Sequence, residues 1–130
     1  MRNRMQILKS NQAANLLRAC LSQLDHEELW GLFLNNENRL ISIEMVTKGS
    51  LDATIIDART ILRRSLLNNA VKVLLAHNHP SGNPVPSKHD IEQTNKVRIA
   101  CRALDVSLLD HIILAEDTYF SFQEERTMNY

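Results

Sequence analysis

The chain has 130 residues, 44% apolar and 23% charged, a composition of one globular domain rather than of a disordered or fibrous chain. Lysine plus arginine and aspartate plus glutamate each number 15, so the formal net charge is zero and no general pull toward nucleic acid or an anionic membrane is expected. No apolar run approaches the ~20 residues that span a bilayer, and no secretory apolar stretch follows the basic segment Met1 to Gln6, so the expected location is the cytoplasm.

Residues 1–9 are polar and read as a flexible N-terminus, 10–123 as the folded domain and 124–130 as a loose tail. Ser10 offers an N-cap. Ala13, Leu16, Leu17, Cys20, Leu21 and Leu24 follow at helical spacing and predict an amphipathic helix. Cys20 and Cys101 both fall on such stripes and are expected to be buried, reduced thiols. Residues 25–28 are a polar link. The apolar run 29–34 predicts a buried strand, Asn35-Asn36-Glu37-Asn38 a turn, and residues 39–47 a second strand in an antiparallel hairpin.

Lys48-Gly49-Ser50 breaks that strand, and residues 51–56 are expected to add a short extended piece. Asp57 caps a second helix with the stripe Ile61, Leu62, Ser65, Leu66 and Asn69. Its other side carries Arg59, Arg63 and Arg64, read first as a solvated face and second as a phosphate- or partner-binding patch. Residues 71–76 predict a central strand. A helix at 88–104, a strand at 106–115 holding Asp110 and His111, a turn at 116–118 and a strand at 119–122 complete the chain. The sum is an α/β fold, a mixed sheet with helices on its faces.

The stretch 77–90, His-Asn-His-Pro-Ser-Gly-Asn-Pro-Val-Pro-Ser-Lys-His-Asp, joins the central strand to the third helix. His77 and His79 are two apart, so an extended backbone points both rings the same way. Ser87 and Asp90 have the spacing of a capping box. Asp90 also shares a helix face with Val97, Cys101 and Leu104, and a carboxylate aimed inward needs a partner. A shared cation would supply one. His77, His79 and Asp90 form a three-ligand N/N/O set with a fourth position open, the pattern of catalytic zinc. The adjacent letters His-Asn-His are not the dispersed signature of an HNH nuclease, and the Pro-Cys-x-x-Cys pair of a cytidine deaminase is absent.

His77, His79, Ser87 and Asp90 match, position by position, the His-x-His, seven residues, Ser, two residues, Asp motif of JAMM (MPN+) metallopeptidases. The fuller string His77-Asn78-His79-Pro80-Ser81-Gly82, with Pro86, resembles the RadC branch of that superfamily, as do 28–36, Arg39-Leu40-Ile41, Asn69-Ala70, Asp110-His111 and Ser121-Phe122. The resemblance spans about residues 10–125. It implies a three-layer α/β/α MPN (JAB, deaminase-like) fold with a mixed central sheet. It also implies one Zn2+ bound by His77, His79 and Asp90 plus a water, and a general base on an upstream glutamate. Glu28, just before the first strand, is the expected base, with Glu44 the alternative. Ser87 corresponds to the family's oxyanion-stabilising serine, and Asp110 and His111 either support the ligands from behind or are a local strand pair.

The implied activity is hydrolysis of peptide or isopeptide bonds in an unidentified protein or peptide substrate. Direct DNA binding is not expected: many relatives carry an N-terminal helix-hairpin-helix region, and nothing of that size fits before Ser10. A homo-oligomer is left open. The competing reading is a non-enzymatic binding module associated with DNA repair or mobile elements, its fold stabilised by metal. Where relatives often carry His-Pro-Arg-Glu, this chain has Asp57-Ala58-Arg59-Thr60, and Glu124-Glu125-Arg126 lacks the usual glycine after the last strand.

Overall fold

Val73, Leu74, Leu75 and Ala76 are all buried, so the strand that carries them is covered on both faces. In the computed structural model, which describes residues 4–21, 24–49 and 56–127, that strand is the middle one of five. The elements are α1 (Ser10–Leu21), β1 (Glu28–Leu34), β2 (Leu40–Lys48), α2 (Ala58–Leu67), β3 (Lys72–Asn78), α3 (Lys88–Ala103), β4 (Ser107–Leu114) and β5 (Tyr119–Ser121). The sheet order is β2-β1-β3-β4-β5. Among the described strands only β3 and β4 run parallel, joined by the loop 79–87 and α3; the other pairings are antiparallel. The sheet is mixed, as expected.

Side chains alternate across the strands and sort into two cores. Leu29, Phe33, Val73, Leu75 and Ile113 point to one face, where they meet Ile61 of α2 and Val97 and Cys101 of α3. Leu32, Leu34, Leu74, Ala76, Ile112 and Leu114 point to the other and pack on Ala13, Ala14, Leu17 and Leu21 of α1. The result is the three-layer α/β/α arrangement. Each fully buried Leu or Ile contributes ~1.5–3 kcal/mol, so the two cores, rather than surface ion pairs, fix the layers.

Local signals explain the helix starts. Asp57 caps α2, its Oδ1 accepting the Arg59 N–H at 3.0 Å. Ser87 and Asp90 form a reciprocal capping box on α3. Ser10 is a correction. Its hydroxyl does not cap α1 but donates to buried Asp110 at 2.5 Å, while Gln12 Oε1 accepts the Leu8 and Lys9 N–H groups.

Four further expectations change. Residues 4–9 are not loose: Gln6 bridges Arg39, Leu40 N–H donates to the Met5 carbonyl, and Ile7 is 2% exposed in the α1-side core. Residues 124–127 are not a loose tail either, because the Glu125 and Thr127 N–H groups donate to the Ser121 and Phe122 carbonyls. Cys20 is exposed, and only Cys101 is buried, where burial pushes its thiol up to about 11. The basic cluster on α2 is divided: Arg59 and Arg63 are exposed, whereas Arg64 donates to Glu44 on β2 at 2.7 Å. The extended piece expected at 51–56 lies outside the described residues except for Ile56, which is buried without regular structure.

Candidate metal centre

The centre starts from the strand period. Val73 and Leu75 point toward α2 and α3, and His77 follows in phase. The His79 N–H donates to the Leu114 carbonyl at 2.9 Å, which prolongs the β3–β4 ladder by one residue and keeps His79 on the same face as His77. Their Nε2 atoms lie 3.0 Å apart. The left-handed turn residue Gly82 (φ 86°) closes a turn onto the His79 carbonyl and brings the Asn83 carbonyl to 2.8 Å from His79 Nδ1. A carbonyl can only accept, so Nδ1 carries a hydrogen and Nε2 is the free face of the ring.

His77 is held from its other side. Its Nδ1 lies 2.7 Å from His111 Nε2, and His111 Nδ1 lies 2.7 Å from Thr94 Oγ1. With His77 Nδ1 as donor, His111 carries its hydrogen on Nδ1 and donates to Thr94. His111 is fully buried and stacks on Phe122 with ring centroids 5.0 Å apart. Burial, with the nearby His77 ring, holds its pKa well below the ordinary histidine value, so it stays neutral, as this relay requires.

Two carboxylates flank the histidine pair. Asp90, in the first turn of α3, places Oδ2 3.2 Å from His79 Nε2 and 3.7 Å from His77 Nε2, and the same oxygen accepts the Ser87 N–H at 3.0 Å. Burial opposes its charge, but the neighbouring His77 and His79 rings outweigh that and hold its carboxyl far below the usual range. Glu27 places Oε1 3.9 Å from His77 Nε2. One ligand atom each from Glu27, His77 and His79 falls within 4.8 Å of the others, a group able to hold a metal ion.

The donor set fits a small divalent ion. Donors about 2.0–2.2 Å from a tetrahedral centre lie roughly 3.3–3.6 Å apart. The 3.0, 3.2 and 3.7 Å separations among His77, His79 and Asp90 fall on either side of that. Two ring lone pairs facing each other at 3.0 Å repel unless a cation lies between them. Without metal a proton serves: burial works against it, but the bonds to Asp90 and the Asn83 carbonyl raise the His79 pKa.

Residues 7–127 match the family model described as the RadC-like JAB domain. The chain belongs to the RadC family. It is 42% identical to a UPF0758 protein of Flavobacterium johnsoniae, over 92% of this chain and 52% of that one. It is 37% identical to a UPF0758 protein of Methanococcoides burtonii, with the same coverage. It is 39% identical to one of Enterococcus faecalis, over 92% of this chain and 51% of the relative. The chain therefore spans about half the length of these curated relatives.

This RadC-family chain brings the side chains of His77, His79 and Asp90 together, but it does not bring Glu28 to them. Glu28 is one residue out of phase and faces the α1 side, where Oε1 accepts from Trp30 Nε1 at 3.0 Å and Oε2 lies 2.7 Å from His26 Nε2. Glu27, one residue earlier, is the glutamate near the pair, with Oε1 3.9 Å from His77 Nε2. The alternative, Glu44, is engaged elsewhere, accepting from Ser42, Arg64 and Asn68 at 2.7 Å each.

Ser87 lies beside the site as the α3 N-cap. Its Oγ accepts the Asp90 N–H at 3.0 Å, so its own hydroxyl hydrogen remains available to donate elsewhere. His111 supports His77 directly.

Asp110 does not support the site. It points to the opposite face of β4 and accepts from Ser10, Ser121 and the N–H groups of His111 and Gln123. Burial raises its pKa against those four bonds. It ties α1 and β5 to β4, so Asp110→Ala strands four buried or half-buried donors. The expected loss is about 3–5 kcal/mol, with Asp110→Asn milder because one carbonyl oxygen remains. Urea unfolding checks this, and equal midpoints for Asp110→Ala and wild type would refute it.

Proposed function

We propose that this chain is a metal-dependent hydrolase of peptide or isopeptide bonds, with zinc as the ion and Glu27 as the general base. The observation that carries this reading is the Glu27 carboxylate 3.9 Å from His77 Nε2, beside an N/N/O donor set. His77, His79 and Asp90 would hold the ion. When bound there, zinc supplies a Lewis acid that polarises a carbonyl and lowers the pKa of water toward about 7.

The protein's own groups supply the rest. Glu27 is 43% exposed on its side chain, so both water and substrate reach it. Its carboxylate takes a proton from the attacking water and returns it to the leaving amine as the carbon–nitrogen bond breaks. The oxygen joins the former carbonyl carbon, giving a carboxylate and a free amine. Ser87 donates its hydroxyl hydrogen to the carbonyl oxygen as negative charge builds there. His111 and the Asn83 carbonyl hold the two rings in the required tautomers. The substrate is a protein or peptide, bound in the cytoplasm. Among the described residues no helix is long and apolar enough to cross a membrane.

The reading is tested with chelator-treated protein against a panel of quenched peptides and lysine-linked isopeptides. Zinc readdition should restore cleavage to a protein that is otherwise silent. Full cleavage by zinc-free protein, or no zinc uptake at all, would refute the proposal.

A further inference from the structure

The backbone around Glu27 lies at a gap in the sheet. The β1–β3 pairing ends at Leu29 and His77, and the β1–β2 pairing begins at Glu28 and Lys48. Glu27 is therefore outside the strand, where a side chain held only by its own backbone would wander. On the β2 side its carbonyl accepts the Gly49 N–H at 2.8 Å. On the β3 side no backbone partner among the described residues continues the ladder, because the chain leaves at His79 for the proline loop.

The side chain of Asn78 fills that place. Its Oδ1 accepts the Glu28 N–H at 2.8 Å and its Nδ2 donates to the His26 carbonyl at 2.8 Å. In an extended chain those two groups, one on each side of residue 27, point the same way. The carboxamide thus offers one acceptor and one donor in the pattern that a neighbouring strand's peptides would offer. Asn78 is 2% exposed, so water does not compete for these bonds. Being one residue out of phase with His77 and His79, it cannot face their site. Its side chain instead reaches the segment that carries Glu27.

We propose that Asn78 is a positioning residue: its carboxamide replaces the missing strand partner and holds Glu27 at the distance from His77 that the reaction needs. This rests on the reading of Glu27 as the base. It also gives the middle residue of His-Asn-His a task separate from metal binding. Aspartate at 78 would keep the acceptor for Glu28 but set a carboxylate oxygen against the His26 carbonyl. Alanine removes both bonds.

Cobalt(II)-substituted protein gives a readout independent of turnover. Glu27→Gln should change the visible absorption of the bound cobalt, and Asn78→Ala should reproduce most of that change at unaltered cobalt stoichiometry. With any cleaved peptide, Asn78→Ala should lower kcat about 10–100-fold while KM and zinc content hold. The double variant Asn78→Ala/Glu27→Gln should be no slower than Glu27→Gln alone. Asn78→Asp guards against a folding defect, since it retains the Glu28 bond and should fall between wild type and Asn78→Ala in both readouts. A wild-type cobalt spectrum in Asn78→Ala beside a changed one in Glu27→Gln overturns the positioning role, as does an additive double variant. Absence of cleavage by wild type, with both cobalt spectra shifted together, overturns the hydrolase reading and leaves the clamp standing.

Discussion

Glu27→Gln should keep zinc and lose turnover by about 10²–10⁴-fold, the range for removing a positioned general base, whereas Glu28→Gln should keep both. The amide is nearly isosteric with the carboxylate but cannot accept the proton. Since the charged side chain is only half buried, its loss should leave stability almost unchanged. Glu28→Gln tests the neighbouring carboxylate in a different setting. Glu28 lies between Trp30 and His26 on the far face. Burial there opposes its charge, and the hydrogen bonds from Trp30 and His26 outweigh that and lower its pKa. The substitution should cost stability without touching the chemistry. Single-turnover rates at saturating zinc, with metal content measured on the same samples, separate the two. If Glu28→Gln is the dead variant and Glu27→Gln turns over normally, the assignment of the base is reversed.

Glu27, which the sequence reading did not weigh beside Glu28 and Glu44, shows where sequence reasoning stopped. Period-two alternation was available: Leu29 and Phe33 had to share one face of β1, and a residue two before Leu29 shares it too. What could not be read was which face looked toward the histidines, because that depends on Leu29 pairing with His77 across strands far apart in sequence. Placement before the apolar run drew the choice to Glu28, and the strand phase overrules it. The same ambiguity covered Asp110 and His111. His111 joins the site, and a strand sends adjacent residues to opposite faces, so only one of the two could do so.

The grouping of His77, His79 and Asp90 was legible because its geometry is local. His77 and His79 need only an extended backbone, and Asp90 needs only a helix that starts at Ser87. The apolar periodicity likewise located every described helix and strand to within a few residues. Features made by distant chain were hidden. Ile7 is buried because Met5 and Gln6 pair with the start of β2, a contact that a polar N-terminal sequence does not announce. Ser10 looked like a cap, but a buried carboxylate 100 residues away competes for its hydroxyl. Cys20 lay on the edge of an apolar stripe, and the narrow buried face of α1 leaves it exposed.

Asp90→Ala should abolish the stabilisation of the protein by zinc, while Ser87→Ala should leave it intact. The two residues share one capping box, so the contrast separates cap from ligand. Losing the Ser87 side chain removes the acceptor for the Asp90 N–H and costs ~1 kcal/mol, the usual effect of an N-cap. Losing Asp90 removes the reciprocal bond to the Ser87 N–H, a cap contribution of similar size, together with a buried carboxylate 3.2 Å from His79 Nε2. For wild type, zinc at a thousand times its dissociation constant adds about 4 kcal/mol. That increment should persist in Ser87→Ala from a lower starting point and vanish in Asp90→Ala at the same zinc concentration. Without metal the two variants should not fall equally. Asp90→Ala also leaves the facing His77 and His79 rings without the carboxylate that favours a proton between them. Urea midpoints with and without zinc, paired with calorimetric titration, read both effects. A full zinc increment in Asp90→Ala would transfer the third ligand to Glu27, the other carboxylate within reach of the pair, and would leave Asp90 as a cap alone.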